Sequence, residues 1–450
     1  MERGAERGEM SRREFIGLSA AAAAGALAGG CATNPVTGRS ELMLMTESEE
    51  IAADRQYAPH QFSADYGRTQ DDALNAYVNR VGREVGGVSH RPQMPYSFTV
   101  LNSPLYNAYT FPGGTCGVLR GLVADMDNEA QLAAVLGHEI GHVNARHAAR
   151  QYSRQLLVTG LLAGVAAYVA RENDKYAGLV SGLGGIGAGA LLARYSRDNE
   201  READALGMEY AARSGRNPGG MVEFMDHLRR QGRQNPNAIE LMFATHPMSD
   251  ERYRNAQAAL TQKYAAAVDR PDNRERFMDE TARLRRQKDG IAALQKGASL
   301  MMDGKQREAK GQYQTALRQL PNDYAGLLLM ANCSLALGET GEAYRYARAA
   351  KDVYPAEPQA HLTTGLIALK TRDFAAAHDA ISSYGRLLPG NPETVFYDAR
   401  ALEGMGNRPA ASEQYVAYLR QVSEGPNAEY AYKRLVEWGV IKPQPTGQAK

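Results

Sequence analysis

A repeat with a period of 34 residues fills the C-terminal third of this 450-residue chain and constrains its fold more than any other feature. Three series of residues recur at this period. They are the prolines Pro321, Pro355 and Pro389, the alanines Ala309, Ala343, Ala377 and Ala411, and the glycines Gly304, Gly338 and Gly406, with Arg372 in the third place of the glycine series. A small alanine lets two helices approach closely, and proline cannot continue a helix because it lacks the N–H donor. The period therefore predicts pairs of helices stacked one after another, each burying its apolar face on the next.

Small residues at fixed places and a closing proline, at a period of about 34 residues, are typical of tetratricopeptide repeats. About four repeats are predicted over residues 290–425, followed by a C-terminal helix and tail at 426–450. Tyr313 and Tyr415 take the large aromatic position four residues after the alanine. A charged helical connector at 266–289 joins this all-α solenoid to the rest of the chain. Solenoids of this kind present a concave surface on which partner proteins bind.

The composition excludes several classes of protein. Hydrophobic residues make up 44% of the chain, which indicates globular domains and not a disordered polypeptide. The 52 basic and 51 acidic side chains leave a net charge of +1, so no basic surface for nucleic acid is expected. Only three cysteines are present, and Cys116 and Cys333 are predicted to be buried thiols outside any disulfide.

Residues 1–30 have the features of an export signal and are set apart from the folded chain. Arg12 and Arg13 precede an apolar run too short to span a membrane well, which is similar to a twin-arginine signal. Cys31 follows two glycines, as a lipidated cysteine does, although Ala28 stands where a lipoprotein signal usually has leucine. The alternative is ordinary cleavage after Ala28 at an A-x-A site. Both readings predict a periplasmic chain, and lipidation of Cys31 predicts an anchor in the outer membrane.

Residues 31–265 are predicted to form a mainly helical domain with a small β-sheet. The stretch from 46 to about 86 has helical spacing of apolar and charged residues. Residues 97–101 and 115–119 are short β-type runs, and Pro-Gly-Gly at 112–114 predicts a turn between them. The second run is expected to bind an extended substrate along its edge.

A helix begins near Asn128, where Gln131 three residues later gives a capping-box pattern. Apolar residues then recur at helical spacing and are expected to face a core: Leu132, Leu136, Ile140 and Val143. His138 and His142 lie four residues apart on one face of this helix, so both can direct an imidazole nitrogen at one Zn²⁺. Glu139 lies beside them, on the side where a catalytic water is activated.

A catalytic zinc usually takes three protein ligands, so a third ligand is required. His147 lies five residues after His142, off the ligand face of a helix, and is expected to be a surface or structural histidine. Glu200, on a second helix, is the better candidate. Asp204, one turn later, would face the same site and can hydrogen-bond a ligand histidine. Spacing alone leaves Glu200 open between a zinc ligand and a solvated helix carboxylate.

Residues 156–193 contain two apolar runs rich in glycine and alanine around a polar turn. Neither run is long enough to span a bilayer comfortably. The segment is predicted either as a buried hairpin or as a helical hairpin that contacts membrane or substrate.

Five separated motifs resemble the M48 family of zinc metallopeptidases, over about residues 34 to 260. They are Asn34-Pro35-Val36-Thr37-Gly38-Arg39, Asn107-Ala108-Tyr109 with Pro112-Gly113-Gly114, the run from His138 to His147, Tyr195-Ser196-Arg197 with the run from Glu200 to Asp204, and Thr245-His246-Pro247. The resemblance implies a zincin-type domain with one zinc ion per chain, Glu200 as the third ligand and Asp204 as the residue that supports a ligand. It also implies that His246 lies on a loop near the active site, where it caps the open zinc position or stabilises the transition state.

With the repeats, the resemblance implies a periplasmic zinc endopeptidase in which Glu139 is the general base. Such an enzyme would degrade misfolded or stalled envelope proteins and assist outer-membrane protein assembly. Its expected partners are unfolded or misassembled envelope polypeptides, the assembly machinery on the repeats and a membrane through the lipid anchor. The alternative is a periplasmic chaperone or adaptor that acts through the repeats while the protease site is latent. Intact Glu139 favours a working site, and a lid at His246 favours a latent one.

Overall fold

The computed structural model describes residues 31–155, 195–234 and 236–442. The predicted export signal at 1–30 and the predicted hairpin at 156–193 lie outside the described residues. Within the described ranges, no helix is long and apolar enough to cross a membrane.

The described elements form a mixed N-terminal half and an all-helical C-terminal arm. The strands are β1 (Cys31–Thr33), β2 (Ser40–Leu42), β3 (Ser97–Leu101), β4 (Ala108–Thr110) and β5 (Thr115–Leu119). The helices of the N-terminal half are α1 (Glu47–Ala64), α2 (Asp72–Gly86), α3 (Arg120–Asp125), α4 (Glu129–Asn144), α5 (Arg197–Arg213), α6 (Gly220–Gln234), α7 (Pro236–Thr245) and α8 (Asp250–Gln262), followed by the short α9 (Arg274–Glu280) and α10 (Ala282–Arg285). The arm comprises α11 (Lys288–Met302), α12 (Gln306–Gln319), α13 (Tyr324–Ala336), α14 (Thr340–Val353), α15 (Pro358–Lys370), α16 (Phe374–Leu387), α17 (Pro392–Gly404), α18 (Arg408–Leu419) and α19 (Pro426–Glu437). The predicted fold class, a mainly helical domain with a small sheet followed by a helical solenoid, is confirmed.

The helical stretch predicted from residue 46 to about 86 is divided into α1 and α2. The break follows Ala64, where Tyr66 and Gly67 adopt left-handed φ angles of 67° and 71°. The N–H of Gly67 donates to the carbonyl of Phe62 (2.8 Å), which satisfies one of the carbonyls that a helix end leaves open. Apolar periodicity continues across such a break, so it did not reveal the boundary.

The larger sheet has three strands in the order β3–β5–β4. Strands β3 and β5 run parallel, with Ser97 opposite Thr115, and match the two predicted runs. Strand β4 was not predicted and pairs antiparallel with the other side of β5. The turn at 112–114 therefore joins β4 to β5, not β3 to β5. Because β5 has hydrogen-bonded neighbours on both sides, the expectation that a substrate pairs with its edge is wrong.

Helix α4 carries the two histidines and is buried along its whole length. The side chain of Asn128 caps its start by accepting a hydrogen bond from the backbone of Gln131 (2.9 Å). The Gln131 side chain accepts from the backbone of Asp127 (3.0 Å), one residue ahead of the cap, so only half of the predicted capping box forms. All four predicted apolar positions lie in the main core: Leu132, Leu136, Ile140 and Val143.

Small residues let α4 and α5 pack closely against each other. Gly137 faces Gly207 of α5, and a Cβ at Gly137 would lie 3.0 Å from the backbone oxygen of Gly207. Gly141 faces Ala203 in the same way, with a Cβ 3.1 Å from the Ala203 Cα. This close approach brings Glu200, in the first turn of α5, opposite the histidines of α4.

Within the described residues, the arm contains four helix pairs, from α11–α12 to α17–α18, and α19 covers the last pair. The alanines of the 34-residue series are fully buried: Ala309, Ala343, Ala377 and Ala411. The turn glycines all have positive φ: Gly304, Gly338 and Gly406. Arg372, which interrupts the glycine series, keeps a φ of 62°, so the repeat geometry persists where the sequence departs from it. Each proline of the series lies two residues beyond the second helix of a pair.

The arm packs against the N-terminal half through buried polar contacts. The guanidinium of Arg120 forms two hydrogen bonds with the carboxylate of Asp323, at 2.5 and 2.8 Å. Gln295 of α11 donates to the backbone carbonyl of Pro104 (2.7 Å). Helix α7 also packs against α11, so the first repeat helix contacts the helix that leads to His246.

Two of the three cysteines are buried and form no disulfide, as predicted: Cys116 on β5 and Cys333 on α13. Cys31 is exposed at the start of the described chain, and its lipidation stays a prediction.

Candidate metal centre

Four buried side chains from three parts of the chain meet at one point. His138 and His142 come from α4, Glu200 comes from α5, and His246 follows the end of α7. One nitrogen or oxygen atom from each of the four lies within 4.8 Å of all the others. The structure therefore brings together the three residues expected to bind a metal and the histidine expected to cap it.

The spacing of these atoms suits a small tetrahedral ion. The Nε2 atoms of His138 and His142 lie 3.0 Å apart, and the Glu200 carboxylate lies 3.7 and 3.5 Å from them. The Nδ1 atom of His246 lies 3.4 Å from His138 Nε2 and 3.3 Å from Glu200 Oε1. Ligands bound to zinc at about 2.0–2.1 Å in a tetrahedron lie about 3.3 Å from one another. The separations found here, 3.0 to 3.7 Å, lie on both sides of that distance.

Asp204 supports His138 from the side away from this point. Its carboxylate lies 3.0 Å from His138 Nδ1, which leaves His138 Nε2 to face the other ligands. Arg252 holds Asp204 with two hydrogen bonds of 2.7 Å and lies 2.7 Å from Glu200 as well. Burial opposes ionisation of Asp204, but the Arg252 charge outweighs it and lowers the pKa of this carboxyl. The expected contact between Asp204 and a ligand histidine is therefore present, and the contacts of Arg252 with Asp204 and Glu200 were not predicted.

His147 supports His142 in the corresponding way, and its description as a surface residue is wrong. The side chain is fully buried, and its Nδ1 lies 2.8 Å from Nδ1 of His142. Its Nε2 lies 3.0 Å from the carboxylate of Glu202. The position of His147 differs from the helical prediction because α4 ends at Asn144, and Arg146 then takes a left-handed φ of 53° that turns the chain back. The other half of that expectation, a structural histidine, describes what is seen.

Burial sets the protonation states around the centre. Burial lowers the pKa of His142 well below its usual value, so this imidazole is neutral and able to act as a ligand. Burial raises the pKa of Glu139, although the charges of His246 and His138 oppose the rise. Glu139 Oε2 has no hydrogen-bond partner among the described residues, so a buried acceptor faces the site. These are the properties of a general base beside a metal.

His246 occupies the side of the cluster that faces the sheet. Its Nε2 lies 3.2 Å from the carbonyl oxygen of Ala108 on the outer strand β4 and 3.8 Å from Glu139. Burial disfavours a charged imidazole here, but the carboxylates of Glu200 and Glu139 raise the pKa of His246 to about 9. The side chain therefore sits between the metal cluster and the edge of the sheet.

Tyr195 completes the wall of the site. Its ring stacks on His142 with the ring centroids 4.0 Å apart and the planes 17° from parallel. Tyr195 lies in one of the motifs singled out in the sequence, but no residue spacing indicated which histidine it would contact. Burial raises its pKa, so the phenol stays neutral.

Two histidines from an HExxH helix, a carboxylate from a neighbouring helix and a buried glutamate define the metallopeptidase class. Residues 72–260 match Peptidase family M48, so this part of the chain is an M48 peptidase domain and the protein is a metalloprotease.

Two relatives with known names are proteases that match this chain over different lengths. The Beta-barrel assembly-enhancing protease of Yersinia pestis is 26% identical over 404 residues, which cover 84% of this chain and 82% of that protein. The protein of the same name from Escherichia coli (strain K12) is 32% identical over 197 residues, or 43% of this chain and 40% of that protein. The chain thus spans less than half of the second relative. Among solved structures, the TPR protein YrrB aligns with 46% of this chain and 97% of its own, at 15% identity and a TM-score of 0.31, and a similarity at that level adds nothing to the fold described above.

Proposed function

We propose that this protein is a zinc-dependent endopeptidase of the periplasm that cleaves unfolded or misassembled envelope polypeptides. The observation that carries the proposal is the buried cluster of His138, His142, Glu200 and His246 with Glu139 beside it.

The donor set fits a zinc ion. His138, His142 and Glu200 would hold it, because two imidazoles and one carboxylate with a fourth position exchangeable are the ligands of a catalytic zinc. When bound, zinc supplies Lewis-acid catalysis by polarising a scissile carbonyl and acidifying a water molecule. Asp204 and His147 each face the Nδ1 atom of one ligand histidine, so both imidazoles keep Nε2 free for the ion.

Glu139 is the proton carrier in this proposal. Its buried carboxylate takes a proton from the attacking water and delivers it to the amine that leaves. The raised pKa brings the carboxyl closer to the pH at which it works, which makes the return of the proton easier. Glu200 and Asp204 do not compete for this role, because Arg252 lies 2.7 Å from a carboxylate oxygen of each.

Strand β4 is the substrate-binding edge that replaces the rejected β5. It lies at the outside of the sheet, and the carbonyl of Ala108 points to His246 Nε2 at 3.2 Å. An extended peptide that adds a strand at β4 would need this carbonyl. His246 and substrate therefore compete for one acceptor, and the same histidine supplies the fourth corner of the metal cluster. This competition supports a resting state that is closed by His246.

The cellular role rests on the relatives and on the N-terminal signal. The relatives are named as proteases that enhance β-barrel assembly. We infer that this protein assists outer-membrane protein assembly, degrades stalled envelope proteins and binds the assembly machinery through its repeats. The exposed Cys31 suits a lipid anchor in the outer membrane. Mass spectrometry of the mature protein tests the anchor: a diacylated Cys31 supports it, and an unmodified N-terminus at Gly29 contradicts it.

A chaperone or adaptor with a latent protease site is the second candidate, favoured by the position of His246. The two are separated by the envelope proteome of cells that carry the wild type or Glu139→Gln, under conditions that disturb outer-membrane protein assembly. If the protein is a protease, its uncleaved substrates accumulate only in cells that carry the variant. A chaperone gives the same proteome with both.

A further inference from the structure

A cavity beside the metal cluster has a polar end and an apolar wall. Its polar end includes His138, Glu139 and His246, and its apolar wall consists of Val135, Met221, Phe224, Met225, Leu228, Met242 and Met248. Resting on the endopeptidase function above, we propose that this cavity binds an apolar side chain of the substrate next to the scissile bond.

The position of the cavity ties it to the reacting bond. Glu139 and His138 line it directly, so a side chain that enters it belongs to a residue within reach of the general base and the metal. Its wall comes mainly from α6, which packs against α4. His246 and Met248 line it from the loop that follows α7, so a movement of this loop opens the cavity and the metal together.

The chemistry of the wall selects against charged side chains. Arg252 and Asp204 also line the cavity, but they bond to each other at 2.7 Å and offer no free charge to a substrate. The apolar lining is four methionines, a phenylalanine, a leucine and a valine. A charged or strongly polar side chain placed there would lose its water and gain no partner. We therefore expect the cavity to bind apolar side chains.

Methionine gives this wall an unusual capacity to change shape. The cavity has a volume of about 30 Å³ as it stands, which is room for about two water molecules. Methionine side chains are unbranched and rotate about three bonds, so they fill a gap in the absence of a ligand and withdraw for a larger one. Met248 is half-buried at the loop, whereas Met225 is buried at the wall. We therefore expect leucine, methionine and phenylalanine to be accepted, and glycine and alanine to bind weakly.

Peptide-library profiling tests this specificity. The zinc-loaded full chain is incubated with a proteome-derived peptide library, and the cut ends are read by mass spectrometry. One position flanking the cut is expected to be enriched in leucine, methionine and phenylalanine. Replacing leucine with alanine at that position is expected to lower kcat/KM about tenfold or more. Cleavage that depends on Glu139 but shows no apolar preference at either flanking position overturns the pocket and leaves the endopeptidase intact. Absence of cleavage that depends on Glu139 overturns both.

Two matched variants assign the preference to this cavity. Met225→Ala enlarges it and is expected to shift the preference towards phenylalanine and tyrosine. Met208→Ala removes a buried methionine from the same hydrophobic cluster that does not line the cavity, and it should leave the profile unchanged. If Met225→Ala fails to fold, Met248→Ala widens the mouth from the half-buried loop and should shift the profile in the same direction. An identical profile in the wild type and in the folded cavity variants contradicts the assignment.

Discussion

The Nδ1 atoms of His142 and His147 lie 2.8 Å apart, and Nε2 of His147 lies 3.0 Å from the carboxylate of Glu202. When His142 binds a metal through Nε2, its ring proton lies on Nδ1. The Nδ1–H group then donates a hydrogen bond to His147. His147 then accepts on Nδ1 and donates from Nε2 to Glu202. The guanidinium of Arg150 lies 3.5 Å from Glu202, which fixes the end of this relay.

Loss of the relay should weaken the hold on zinc. We expect His147→Ala to raise the Kd for zinc about 10- to 100-fold, the usual effect of removing a partner of a ligand histidine. His147→Asn keeps an acceptor near His142 Nδ1 and should recover part of the affinity. The affinity is measured by competition with a chromogenic chelator. The visible spectrum of the cobalt-substituted protein should change with His147→Ala and stay unchanged with His378→Ala, a histidine of the repeat arm. Unchanged zinc affinity in His147→Ala contradicts the relay.

Removal of the His246 imidazole should release the closed state. We expect His246→Ala to increase cleavage of an unfolded protein and self-cleavage several-fold, because both the carbonyl of Ala108 and the fourth corner of the cluster become free. Adding Glu139→Gln to this variant should abolish the gain. A fall in activity with unchanged zinc content would instead make His246 a group that stabilises the transition state.

Asp54 should make stability depend on pH. Its carboxylate accepts one hydrogen bond from the backbone of Thr115 (3.0 Å), and its Oδ1 has no hydrogen-bond partner among the described residues. Burial raises the pKa of Asp54 from 3.8 to about 6. Because the folded pKa is the higher one, the proton stabilises the fold fully below about pH 4, and this stabilisation is lost as the pH rises through 6.

The variant Asp54→Asn carries no charge to bury. From pH 4 to pH 7 its free energy of unfolding should rise relative to the wild type by about 2–3 kcal/mol. Urea denaturation at several pH values measures this difference. The other buried carboxyls titrate alike in both proteins and cancel. A difference that does not change with pH would show that Asp54 is not the group that titrates.

Much of this architecture could be predicted because it depends on local spacing. The 34-residue period depends on small residues and prolines at fixed places, and the helix start at Asn128 depends on one side chain. Contacts between distant segments could not be predicted in this way. The prediction that His147 lies at the surface was wrong because its position depends on the left-handed backbone at Arg146. A left-handed φ at a residue other than glycine has no signal in the sequence.

The missed strand has a similar cause. Strand β4 is only three residues long and buried throughout, so it shows no alternation of apolar and polar residues. Arg252 was missed because its partners, Asp204 and Glu200, are about fifty residues away and belong to another helix. The residues next to an arginine in the sequence do not show whether its guanidinium is buried against carboxylates or exposed to solvent.

The proposed peptidase activity requires Glu139 more than any other residue that is not a metal ligand. The measurement is the rate of peptide cleavage by purified Glu139→Gln protein, taken together with its zinc content. We expect one zinc ion per chain, an unchanged fold and a rate lower by about 10²- to 10⁴-fold, the range for removal of a general base. His138→Ala serves as the control that loses zinc as well as activity. A Glu139→Gln protein that holds zinc and cleaves at the wild-type rate would show that Glu139 is not the general base.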